Sequence, residues 1–172
     1  ASIGTQKVIH DHATIGIVVT TDGSICELKR DGYMAAEEKT IKELQAIGKP
    51  FIVLVNSKKP YGDEAKRVAE ELREKYQVTT MTVNCEQLRE EDIHRIMEKV
   101  LFEFPISEVQ FYIPKWVEML PTEHKIKADL IYHMKEILKN MSEIKDAVCG
   151  IEKRESDYIE EVKLEQIEMD TG

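Results

Sequence analysis

Apolar and polar positions follow two periods along the first part of this chain. Ile15 to Val19, Phe51 to Val55 and Thr79 to Val83 are short runs rich in β-branched residues, which predicts buried strands. Between and after them apolar residues recur at helical spacing. Ile41, Leu44 and Ile47 mark the first stripe, Ala65, Val68, Ala69, Leu72 and Tyr76 the second, and Ile93, Ile96, Met97, Val100, Leu101 and Phe104 the third. Gly48-Lys49-Pro50 ends the first helix, with Gly for a left-handed cap and Pro beyond it. From Thr14 to Phe104 strands and helices alternate, the pattern of a parallel sheet with covering helices. Right-handed crossovers then bring all three strand-end loops to one edge, as in half of a nucleotide-binding domain.

The texture changes near Pro105, where a domain boundary is expected, giving 1–104 and 105–172. Val109 to Pro114 predicts a short strand or edge segment, with Trp116 buried at the domain junction. His124 to Val148 predicts one long amphipathic helix, ended or interrupted by Gly150. Val162, Leu164, Ile167 and Met169 suggest the start of a strand pair. The chain opens at Ala1 without Met and stops just after that alternation has begun. It is therefore read as an internal piece of a longer protein.

Composition narrows the function classes. With 172 residues, 42% hydrophobic and 33% charged, the chain has an ordinary globular make-up, enough for one core and part of another. A formal charge of -9 argues against nucleic acid, whose phosphates need a basic face. Cys26, Cys85 and Cys149 are widely spaced and odd in number, which favours reduced thiols in a cytosolic compartment. No apolar run reaches the roughly 18 residues of a membrane helix.

The candidate chemistry sits at the strand ends. Asn56-Ser57-Lys58-Lys59 stands where many GTPases carry Asn-Lys-x-Asp for reading guanine, but the acidic fourth residue is Lys59 here. Asn56 either holds a base-binding loop or closes the strand as a turn-former, and Asn84 at the matching end of the next strand favours a base pocket. Lys58 or Lys59 lays its stem over a base in that reading, or is an ordinary exposed lysine. Thr20-Thr21-Asp22-Gly23-Ser24 either orients a phosphate or a magnesium-bound water, or is simply a turn. His10-Asp11-His12 reads as a structural or switch loop rather than a zinc site, and His94 and His133 as structural. Cys85 has no histidine at a supporting spacing, so no thiol nucleophile is assigned. The chain holds neither Gly-x-x-x-x-Gly-Lys-Ser/Thr nor a metal-holding Asp-x-x-Gly after a strand. No catalytic or metal residue is assigned, and the chain alone is expected not to hydrolyse a nucleotide.

The run from Ile3 to Gly16, continued by Val18 to Ile25, resembles the stage IV sporulation protein A family. So do Gly48 to Phe51, Val55-Asn56-Ser57, Trp116-Val117-Glu118 and Leu120. The resemblance implies the later half of a P-loop GTPase-like α/β domain adapted to ATP, followed by the start of a second, α+β, domain. It implies a morphogenetic ATPase whose self-assembly, coupled to ATP hydrolysis with Mg²⁺, lays the basement layer of the spore coat. Its place would be the mother-cell cytoplasm, peripheral on the outer forespore membrane. Its partners would be further copies of itself, a small amphipathic membrane-anchoring peptide and spore coat proteins. The residues carried over are Asn56, Ser57, Asn84 and Cys85 at the base, with Thr20, Thr21 and Asp22 nearer the phosphates. Two other readings compete. One is a structural scaffold with a vestigial nucleotide fold, the other a GTPase with an atypical base-reading loop.

Overall fold

A computed structural model describes residues 11–25, 29–149 and 156–168. Among these, strand β1 is Gly16–Thr21, helix α1 Met34–Ile47, β2 Phe51–Asn56, α2 Asp63–Tyr76, β3 Thr80–Val83 and α3 Glu90–Phe102. Short 3-10 turns at Arg30–Gly32 and Cys85–Gln87 precede α1 and α3. The chain divides into two compact units, one through Val100 and one from Leu101 onward.

In the first unit the strands form a parallel sheet in the order β1-β2-β3. Gly16 pairs with Phe51 and Thr21 with Asn56, while Val53 pairs with Thr80 and Asn56 with Val83. That register ends all three strands at one rim. Val18, Val53 and Val55 on one face form a single core with Ile41 and Leu44 of α1 and Val68, Leu72 and Tyr76 of α2. On the other face Ile52, Leu54, Met81 and Val83 are also buried, as are Ile96 and Val100 of α3, outside that core cluster. β2 is thus apolar on both faces because it is covered on both, the usual state of a central parallel strand.

β1 is different. Its second face carries Ile17 and Val19, which are 46% and 58% exposed. An open groove of about 1170 Å³ runs along this strand and α1, lined by residues from Asp11 to Lys49 together with Asn56. Gly48 ends α1 in the left-handed region with φ 71°, and its N–H reaches back to the carbonyls of Leu44 and Gln45. The expected Gly cap is realised.

In the second unit, α4 is Lys115–Glu118, α5 Lys125–Lys139 and α6 Ile144–Cys149. The single helix expected over 124–148 is two helices. Chain segments 104–106 and 142–144 cross in an antiparallel bridge, with the Ile144 N–H on the Phe104 carbonyl and the Ile106 N–H on the Ser142 carbonyl. Asp146 Oδ2 accepts the Ser142 and Glu143 N–H groups at 2.9 Å each, starting α6 afresh. Val109 to Pro114 forms no strand, and residues 161–168 form none either. These apolar residues have no sheet partner among the described residues, so alternation alone does not make them strands. Trp116 is 57% exposed rather than buried, while its neighbour Val117 takes the interior position. In the third helix stripe only Ile96 and Val100 are buried, and Ile93, Met97 and Leu101 face outward. His10, Cys26, Gly150 and Met169, the run Ile3 to Ile9, and the side chain of Cys149 lie outside the described residues.

Candidate functional site

Each parallel strand ends in polar residues because its last carbonyls and amides leave the ladder there and the chain must turn. At the rim those turns are tied to one another. Asn56 Oδ1 accepts the Cys85 N–H at 2.9 Å, joining the loop after β2 to the loop after β3. Asn84 Oδ1 accepts the Glu86 N–H at 3.0 Å and so caps the 3-10 turn. With both carbonyl oxygens engaged by N–H donors, both Nδ2 groups turn the other way. No protein acceptor among the described residues takes either of them. The rim therefore offers two amide donors, a chemistry suited to the ring nitrogens of a base.

Ser57 is almost fully buried, and its Oγ accepts the Lys59 N–H at 3.0 Å. It shapes its loop from beneath. The Lys58 N–H goes to Ser24 Oγ at 3.0 Å, linking the loop after β1 to the loop after β2. Both lysine side chains are left on an exposed stretch. Ser24 donates from N and Oγ to Asp22 Oδ1, at 2.9 and 2.6 Å. Burial pushes the Asp22 carboxyl up, but hydrogen bonds from Ser24 and Ser57 outweigh this and hold it below the usual carboxylate range. Asp22 is thus a firmly ionised group at the rim. Thr21 Oγ1 accepts the Gly23 N–H at 3.0 Å, and Gly23 has φ 92°, a left-handed conformation that glycine adopts without strain.

Thr20 faces inward. It is buried, and its hydroxyl donates to Glu37 on α1. Arg30 forks onto the same carboxylate, NH2 to Oε1 at 3.1 Å and NH1 to Oε2 at 3.3 Å, and NH1 also reaches the Thr21 carbonyl at 3.1 Å. Tyr33 Oη donates to that carbonyl at 2.8 Å. The sequence reading assigned nothing to Arg30, Tyr33 or Glu37. A signal existed: Glu37 stands four and seven residues before Ile41 and Leu44, on the buried stripe of an amphipathic helix, where a carboxylate needs a partner.

Cys85 is exposed as a residue, yet local desolvation pushes its thiol up, away from nucleophilic reactivity. Its backbone N–H is the group engaged at the rim. His133 lies 3.5 Å from Asp129 through Nε2, and Asp129 also accepts Ser156 Oγ at 2.6 Å, away from the strand ends. Among the described residues no His, Cys, Asp and Glu side chains group as metal ligands. No described helix is long and apolar enough to cross a membrane.

The family model for the stage IV sporulation protein A ATPase domain matches residues 1–105, and the one for the middle domain of the same protein matches residues 106–172. Stage IV sporulation protein A of Clostridioides difficile (strain 630) is 40% identical over 173 residues, and that of Bacillus subtilis (strain 168) 38% over 174. The Bacillus anthracis protein is 35% identical over 173 residues. Each alignment covers 100% of this chain and 35% of the relative, so the chain spans about a third of those proteins. No solved structure matches it. A parallel α/β sheet with a polar rim, two family models laid end to end and relatives aligned over the whole chain agree: this chain belongs to the stage IV sporulation protein A family.

Proposed function

We propose that the complete protein binds and hydrolyses ATP and couples this to self-assembly of the basement layer of the spore coat. The observation that carries this reading is the pair Asn56 and Asn84 at adjacent strand ends, amide donors outward, in a unit matched by an ATPase-domain model. Asn56 and Asn84 would meet the base, with the Lys58 stem beside it and Ser57 and the Cys85 N–H holding the loops in shape. The ionised Asp22, with Thr21, fits the neighbourhood of a phosphate-bound Mg²⁺ and its waters. Thr20 acts from below, through Glu37. Bound ATP would supply the anhydride that is cleaved; the residues of this chain bind and orient and transfer no proton.

The bare face of β1 supports a P-loop-like sheet. The two crossovers among the described residues run away from β1 and carry α1 and α2 to one face, as the right-handed rule for such connections requires. A strand added in parallel to the open edge of β1, with its helix over Ile17 and Val19, must then send the chain in the opposite direction. The gap between that strand and β1 becomes a topological switch point, where open α/β sheets bind ligands. Thr21 and Asp22 stand beside that gap.

Lys59 in place of an acid removes the acceptor that guanine's N–H groups need, which favours ATP over GTP. The resemblance further proposes a site of action in the mother cell, peripheral on the forespore membrane, with an amphipathic anchoring peptide and coat proteins as partners. The test is Asn56→Ala in the complete protein. Losing the Nδ2 donor and the tie to Cys85 should weaken ATP binding about tenfold, on the order of one or two hydrogen bonds. Unchanged affinity by equilibrium titration would remove the base pocket.

A further inference from the structure

We propose that Arg30, Tyr33 and Glu37 are positioning residues for the nucleotide rim: they clamp the end of β1, and through Ser24 they set the backbone of the base-side loop. This rests on the nucleotide reading above. Among the described residues β1 has a neighbour on one side only, so no described strand holds its outer edge. The Thr21 carbonyl, the last of the strand, instead receives two donors, Arg30 NH1 and Tyr33 Oη. Glu37 receives the Thr20 hydroxyl and both arms of the Arg30 fork.

The pair is largely withdrawn from water, with the Arg30 and Glu37 side chains 15% and 5% exposed. An ion pair buried this far adds little net stability over an apolar pair, but breaking it leaves a buried charge uncompensated. Such a pair fixes geometry. What it fixes can be followed atom by atom. Thr21 Oγ1 takes the Gly23 N–H, Asp22 takes Ser24, Ser24 takes the Lys58 N–H, and Asn56 takes the Cys85 N–H. A shift of Thr21 therefore moves every loop of the rim.

The experiment uses Tyr33→Phe and Arg30→Lys in the complete protein, with steady-state ATP turnover and amide hydrogen exchange. Tyr33→Phe deletes one hydroxyl and leaves the buried pair whole, so it tests the clamp even where Arg30→Lys folds poorly. The expected result for Tyr33→Phe is an ATP KM raised about fivefold, kcat within about twofold and an unchanged melting temperature. Exchange at Gly23, Ser24 and Lys58 should quicken. Unchanged KM and unchanged exchange in Tyr33→Phe would overturn the clamp while leaving the ATPase reading intact. A loss confined to kcat would overturn it too, since a binding rim acts through KM. Wild-type protein with no ATP binding would overturn the nucleotide reading, and with it the role assigned to the clamp.

Discussion

Gly48 and Glu37 are two residues of α1 and its cap whose roles have different physical origins. Gly48 sits at φ 71° with open space where a side chain would point, so Gly48→Ala isolates the backbone cost of the left-handed region. The expected loss is about 1–2 kcal/mol, read from urea unfolding of this chain. That position was legible from Gly-Lys-Pro after an apolar stripe, because a helix stop is a local event. The inward place of Glu37 on its stripe was legible, but its partners were not. A buried carboxylate is tolerable only beside its partners, and Arg30 and Thr20 reach it through the turn before α1 and through the sheet. Asn56 lies between these cases. Its place at a strand end was readable, but the direction of its amide is set by the Cys85 N–H, 29 residues away.

At the scale of elements, α1 and α2 are joined at their solvent edge by Glu38, which meets Lys42 on its own helix and Lys75 and Tyr76 on the other. Hydrogen bonds from Lys42, Lys75 and Tyr76 bring its carboxyl down to about 2. A lowered acid stabilises the fold above its unfolded value and loses that contribution as pH falls toward the folded one. The melting advantage of the wild type over Glu38→Gln should therefore shrink as pH drops from about 4.5 to about 2, and should be steady above that window. High salt should also reduce it, since the pair is exposed. Helices α5 and α6 show the opposite limit. Their apolar period runs on through 140–143, and the break comes from the bridge to Pro105, a contact that no helical period encodes.

At the scale of the whole molecule, the open edge of β1 is the dominant fact. Ile17 and Val19 are exposed on a strand whose partner β2 is buried on both faces. In the complete protein the β1 amides that point away from β2 should be protected from exchange, and in this chain alone they should exchange freely. The measurement is residue-resolved hydrogen exchange on both proteins. Equal, fast exchange in both would exclude a further strand on this edge and remove the switch point beside Thr21. An uncovered edge of this kind also favours self-association of the isolated chain.

The periodicity of the chain was enough to place three strands, the helices between them, the parallel order and the shared rim, since these follow from burial patterns and the handedness of crossovers. It also placed Asn56, Asn84 and Asp22 at that rim. It was silent on which apolar stripes stay bare, as with Ile93 and Met97 on α3 and Trp116, because coverage depends on what packs against a face rather than on the face. It was equally silent on the Arg30, Tyr33 and Glu37 clamp and on the break before Ile144. Each of these is a contact between residues distant along the chain or turned by a loop, and its energy exists only after the sheet has brought them together.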